Sequence, residues 1–216
     1  MRPNYTHITL VCDRSGSMSS VRSDAEGAVN QFITDQKAVP GEATLKLIEF
    51  DAHGHDDWFH VVHDGDISQA GAYVLNPRGS TALLDAVGRA ITETGEFLAA
   101  KPEDERPEHV VFVVQTDGQE NSSREWKLEQ IQEAIKRQTE EFNWQFLFLG
   151  MGPDTFAQGH LMGFQNVTRS AHTADAYAGT YGVAGQSVSA LRTNAVRDLS
   201  ATNVEVDEHG NVKDPT

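Results

Sequence analysis

Cysteine is almost missing from this chain: of 216 residues, only Cys12 carries a thiol. One cysteine closes no internal disulfide, so nothing in the composition calls for an oxidising compartment. Its place in an apolar run predicts an inert core thiol. Basic residues are scarce too, with 17 Lys and Arg against 32 Asp and Glu, a formal net charge of −15. Such a surface repels phosphate backbones and anionic membranes, so neither nucleic acid nor membrane is an expected partner. Solubility is the plain consequence of the charge. No apolar run approaches the length of a membrane-spanning helix. The opening Met1-Arg2-Pro3-Asn4-Tyr5 lacks the apolar stretch of a secretory signal, so the expected location is the cytoplasm. No Gly-x-Gly-x-x-Gly follows the first apolar run and no Walker A sequence occurs, which removes the usual phosphate cradles. There is no internal repeat and no long low-complexity segment.

What is present is an alternation of strand-like and helix-like segments. Strands are predicted at 6–12, 44–50, 58–62, 109–115, 144–149 and 164–168, and helices at 21–37, 81–99, 124–140, 155–162 and 174–196, with a short helical turn at 67–73. In the first helix Val21, Ala25, Ala28, Val29, Phe32 and Ile33 share one stripe. The short connection between the second and third strands predicts a hairpin, with the third strand antiparallel at the sheet edge. Alternating strands and helices give an α/β class: a doubly wound, mostly parallel, Rossmann-like sheet of about six strands, covered on both faces. One domain is expected over 1–199, followed by a polar, loose tail over 200–216 that could be deleted without unfolding the domain.

In such sheets ligands bind outside the carboxyl ends of the strands. The run Ile8-Thr9-Leu10-Val11-Cys12 leads there into Asp13-Arg14-Ser15-Gly16-Ser17-Met18, one carboxylate and two hydroxyls turned by a glycine. A hard divalent cation such as Mg²⁺ takes oxygen ligands in near-octahedral array, and this loop supplies half of such a set. Gly79-Ser80-Thr81 offers a further hydroxyl at a helix start. Val110-Val111-Phe112-Val113-Val114-Gln115-Thr116-Asp117-Gly118 is a second buried strand that ends in a carboxylate and a glycine turn. The competing reading is that Asp13 and Ser15 cap a turn and that Ser19 or Ser20 caps the following helix.

Over 5–197 this pattern resembles the von Willebrand factor type A (VWA) domains, whose metal-ion-dependent adhesion site (MIDAS) combines Asp-x-Ser-x-Ser with a distant Thr and a distant Asp. Asp13, Ser15, Ser17, Thr81 and Asp117 match it in order. The resemblance implies a stand-alone domain of bacterial or phage type. It implies that Ser15 and Ser17 bind the metal directly, that Thr81 does so when a ligand is engaged, and that Asp13 and Asp117 act mostly through water. The implied metal is a divalent cation, Mg²⁺ first, with Mn²⁺ or Ca²⁺ as alternatives. The implied function is metal-dependent protein binding, with a partner's Glu or Asp completing the coordination. Relatives of this kind work with AAA+ ATPases or in multi-protein assemblies. On this reading the protein is not an enzyme, and a monomer is expected.

The alternative from another class is a Mg²⁺-dependent phosphohydrolase or phosphotransferase, because Asp13 stands where such enzymes place a nucleophile. A module that uses the fold without metal is a third. His53, His55, His60 and His63 are capable of ligating a second metal, although exposed polar residues on an edge strand are the plainer reading. Gly179, Gly182 and Gly185 suggest close packing of the last helix. Arg78, Ser80, Asn121 and Ser122 are candidates for the rim of the metal loop, and Asn121 or Ser122 for capping the helix expected from 124.

Overall fold

In a computed structural model, which describes residues 1–152, 155–199 and 203–213, the buried β-branched runs pair into a single sheet. Its strands are β1 (Arg2–Asp13), β2 (Glu42–Phe50), β3 (Phe59–Asp66), β4 (Pro107–Thr116), β5 (Gln145–Met151), β6 (Asn166–Ser170), β7 (Asn203–Val206) and β8 (Val212–Lys213). Their order is β3-β2-β1-β4-β5-β6-β7-β8. The six inner strands run parallel, while β3 and β8 close the two edges antiparallel.

The crossovers are helical: α1 (Arg22–Ala38), α2 (Leu83–Ala99), α3 (Leu128–Phe142), α4 (Thr155–Leu161) and α5 (Ala174–Arg192). Helices α1 and α5 cover one face, where Phe32, Tyr177 and Tyr181 join Ile8, Leu10, Leu45 and Leu47. The other face holds Leu83 and Val87 of α2 and Ile131 of α3 against Val11, Phe50, Phe112 and Phe148. From β1 the chain steps to β2 through α1. It then returns through α2 to β4 on the other side of β1. That reversal splays the loops after β1 and β4 apart and creates a crevice at the carboxyl edge, the usual ligand position in this architecture.

Several expectations need correction. The sheet has eight strands, and antiparallel strands lie at both edges. The polar tail is not loose where it is described. β7 extends the open edge of β6 in parallel, with Val206 buried, and β8 folds back on β7. Residues 200–202 and 214–216 lie outside the described residues, as do 153 and 154. The helical turn at 67–73 shrinks to one 3₁₀ turn at Ile67–Gln69, because α1 reaches over and holds the chain extended. Asn30 Oδ1 accepts from Tyr73 N at 2.8 Å and Glu26 Oε2 from Leu75 N at 3.2 Å. Helix α3 starts at Leu128, four residues later than expected. No helix among the described residues is long and apolar enough to cross a membrane.

Candidate metal centre

The register of the two central strands sets the site. Cys12 lies level with Gln115, so Asp13 and Thr116 leave the sheet side by side. Thr116 Oγ1 donates to Asp13 Oδ2 at 2.6 Å, and Ser15 N donates to Asp13 Oδ1 at 2.6 Å. Both carboxylate oxygens are thereby fixed in a fully buried side chain. Burial pushes Asp13 up to about 7, against the pull of the Thr116 and Ser15 hydrogen bonds. A 3₁₀ turn at Gly16–Val21 carries Ser17 to the surface. There Ser15 Oγ and Ser17 Oγ lie 3.0 Å apart, and Ser17 Oγ donates to Asp117 Oδ1 at 2.6 Å. Burial also raises Asp117, while the Ser17 hydrogen bond and His172 pull it back.

Thr81 arrives from the loop before α2. Its amide donates to Asn121 Oδ1 at 3.0 Å, and Asn121 N returns to Thr81 O at 3.1 Å. The loops converge around Gly118. A Cβ placed on that residue would lie 2.9 Å from Thr81 Oγ1, 3.6 Å from Asp13 Oδ2 and 3.7 Å from Ser17 Oγ. Five oxygen-bearing side chains from three loops therefore share one small space, which is open at Ser17.

A divalent cation fits this donor set. Every donor is oxygen, as a hard cation requires. Asp117 Oδ2 is buried with no hydrogen-bond partner, an arrangement proteins avoid unless something satisfies the charge. The cradle beside Gly118 has room that a single methyl would fill. Asp13, Ser15, Ser17, Thr81 and Asp117 are the residues that would hold the ion. The capping reading covers only Asp13, whose Oδ1 closes an Asx turn onto Ser15 N; the side chain of Ser15 makes no capping bond.

Sequence reasoning missed the supports. The carboxylate of Asp85 accepts from Arg124 N at 2.7 Å, Glu125 N at 2.9 Å, Trp126 N at 2.7 Å and His53 Nε2 at 2.5 Å. Burial works to raise Asp85, but these bonds outweigh it and hold the carboxyl below the usual range. Glu120 gathers Leu84 N, Ser122 N and Ser123 N. These two acids, rather than Asn121 or Ser122, tie down the amides ahead of α3, which is why the helix begins late. Arg78 is committed to Asp51 and Asp57. His53 is committed to Asp85 and lies against Trp58, with ring centroids 4.2 Å apart and the planes tilted by 41°. Among the described residues no three His, Cys, Asp or Glu side chains are grouped to share a metal. Of the glycines in the last helix only Gly179 is closely packed, since a Cβ there would collide with Gly210 in the β7–β8 turn; one on Gly182 would meet nothing within 4 Å and one on Gly185 would make ordinary contact with Phe32.

No protein-family model matches this sequence, and no curated protein matches it. Solved structures do. A von Willebrand factor type A protein from Catenulispora acidiphila aligns with a TM-score of 0.55 at 15% identity, over 84% of this chain and 42% of that one. Proximal thread matrix protein 1 from the mussel byssus, in a form with a zinc-occupied MIDAS motif, aligns with a TM-score of 0.57 at 15% identity, over 86% and 47%. The pilus adhesin SpaC from Lactobacillus rhamnosus GG aligns with a TM-score of 0.60 at 17% identity, over 88% and 30%. The present chain thus spans less than half the length of each. The fold is that of VWA domains.

Proposed function

We propose that this chain is a metal-dependent protein-binding module, in which Asp13, Ser15, Ser17, Thr81 and Asp117 hold a divalent cation that receives a Glu or Asp from a partner protein. The observation that carries the reading is the convergence of Thr81, Asp13 and Ser17 on the space beside Gly118, with Ser15 and Asp117 hydrogen-bonded to Ser17 and Asp117 Oδ2 unpartnered. When bound, the cation supplies an electrophilic position for a carboxylate oxygen. The protein's part is to keep that position under-neutralised. Three of the five groups are neutral hydroxyls, and both oxygens of Asp13 are already engaged by Thr116 and Ser15. An incoming carboxylate then makes a charge-assisted contact where the surrounding partner surface excludes water. Ser80, which precedes Thr81, and Asn121, which is hydrogen-bonded to Thr81, are exposed and are the candidates for selectivity. Mg²⁺ is the proposed ion, and an adaptor role beside an AAA+ ATPase or within a multi-protein assembly is the proposed setting in the cytoplasm.

We favour binding over phosphoryl chemistry for a reason specific to this site. A nucleophilic carboxylate needs a free oxygen facing the substrate, whereas Asp13 is fully buried with both oxygens hydrogen-bonded. Melting in Mg²⁺ and in EDTA tests the metal. At 100 times its dissociation constant the ion should add about 2.7 kcal/mol of stability, and Ser15→Ala should remove most of that increment. Capture of binding proteins in Mg²⁺, in EDTA and with Thr81→Ala tests the purpose. A partner retained equally by the wild type in EDTA would sink the carboxylate-capture mechanism.

A further inference from the structure

Two guanidiniums and three carboxylates lie behind the candidate metal centre, outside its donor set. Arg14 stands between Asp13 and Ser15. Arg78 precedes Gly79 in the loop that delivers Thr81. Asp51 directly follows β2. Arg14 Nε and Arg78 Nε converge on one oxygen, Asp51 Oδ2, at 3.1 and 2.5 Å. The Asp51 side chain is 0% exposed, and its Oδ1 has no partner. Arg14 continues to Glu49 Oε2 at 3.3 Å, and Arg78 to Asp57 Oδ1 at 2.5 Å. Arg14 also donates to the carbonyl of Asp57. The backbone is stitched at the same place: Arg78 N to Arg14 O at 2.8 Å, Gly16 N to Gly79 O at 3.0 Å and Ala82 N to Asp51 O at 3.2 Å.

We infer that Asp51, shared by Arg14 and Arg78, is a positioning residue that fixes the separation between the loop carrying Ser15 and Ser17 and the loop carrying Thr81. The inference rests on the metal-binding reading and adds what sets the spacing of its donors. The two loops belong to different crossovers and meet through only the Arg78 N–Arg14 O and Gly16 N–Gly79 O backbone bonds, which the shared carboxylate braces from behind. Mg²⁺ tolerates little error in ligand placement. A carboxylate gripped by two forks away from water is stiff, because moving either loop strips an ion pair from a buried charge. The same pairing turns the charge of Arg14 toward Glu49 and Asp51 and away from the neighbouring hydroxyls. A cation beside Ser15 is thereby spared a repulsive neighbour.

A staple that served only the fold would stabilise the protein equally with and without metal. A positioning residue changes metal affinity itself. The full chain is therefore compared as wild type, Asp51→Asn, Arg78→Gln and Ser15→Ala, with Mn²⁺ affinity read by electron paramagnetic resonance and melting followed in EDTA and in Mg²⁺. We expect Asp51→Asn and Arg78→Gln each to weaken Mn²⁺ binding by about tenfold or more, the usual range for groups that orient metal ligands. Arg78 is 34% exposed and Arg14 still pairs with Asp51 in its absence, so Arg78→Gln should lose less stability in EDTA than Asp51→Asn and decides the question should Asp51→Asn fail to fold. Folded variants that bind Mn²⁺ as tightly as the wild type, while Ser15→Ala does not, overturn this inference and leave the metal centre standing. A wild type that takes up no Mn²⁺ overturns both.

Discussion

At Gly118 a missing side chain makes the room in which the oxygens of Thr81, Asp13 and Ser17 meet. Its φ lies outside the left-handed region, so alanine suits the backbone and only the cradle suffers. Gly118→Ala should therefore keep the fold, with a cost of about 1 kcal/mol as Thr81 gives way, and lose most Mg²⁺ or Mn²⁺ binding. Calorimetric titration of the metal, together with melting in EDTA, separates the two effects. Wild-type affinity in the alanine variant would mean that the ion, if bound, sits elsewhere. Asp13, Ser15, Ser17 and Asp117 were legible as candidate donors because hydroxyls and carboxylates stand directly behind strand-like runs, where an open sheet presents its loops, and Thr81 because it stands at a helix start. Asp51, Asp85 and Glu120 were not legible. Each is one acid among 32 Asp and Glu, and the partners that give it its role (Arg14 and Arg78 for Asp51, the amides of 124–126 for Asp85, Leu84 N for Glu120) lie tens of residues away in segments whose meeting depends on the completed sheet. Arg78 was legible as a residue beside the site but not in its role, since its ion pairs with Asp51 and Asp57 span 27 and 21 positions.

Among the elements, α2 links the core to the loop that carries Thr81. Its Gly88 faces Trp126, and a Cβ there would fall 2.2 Å from an indole carbon. In an exposed helix, glycine to alanine gains up to about 1 kcal/mol. Here the sign should reverse, because overpacking costs about 1–3 kcal/mol and the obstacle is a whole ring rather than a flexible chain end. Gly88→Ala is expected to lower the denaturation midpoint and to alter tryptophan fluorescence. It should also loosen the loop that Asp85 holds through the amides of 124–126. A variant more stable than wild type would show that Trp126 moves aside freely. The elements that the sequence announced are those with internal pattern: the apolar runs of β1, β4 and β5, and the stripes of α1 and α2. β7 and β8 carry too few apolar residues to show a period; β7 pairs with the open edge of β6, which no local window contains, and β8 then folds back on β7. The start of α3 was misplaced for a related reason: the amides ahead of it are satisfied by acids from α2 and from the turn after β4.

Across the whole molecule, the dependence of stability on pH should be governed near the middle of the sheet by His7. The imidazole is fully buried between Thr44 Oγ1 at 2.8 Å and Thr9 Oγ1 at 3.2 Å, and Thr9 is tied in turn to Thr94 at 3.0 Å. Burial first, then the positive charges of Lys46 and Lys101, lowers it to about 3. The unfolded chain binds that proton near pH 6.5, while the folded chain refuses it until far lower. Its contribution is therefore fully present above pH 6.5 and is lost as the pH falls toward 3. One such proton gives a slope of at most about 1.4 kcal/mol per pH unit, and on the order of 5 kcal/mol over the window. The carboxylates bear on the same range. A chain of net charge −15 relieves self-repulsion as its acids take up protons, and that relief opposes the histidine. His7→Gln separates the two, since the amide can still meet both threonine hydroxyls but has no proton to bind. Urea titrations between pH 7.5 and 4 should show wild-type stability falling more steeply than that of His7→Gln, with the difference shifting against the wild type as the pH falls. Parallel curves would mean that the strand pair around Thr9 and Thr44 opens enough to let the charged imidazole reach water.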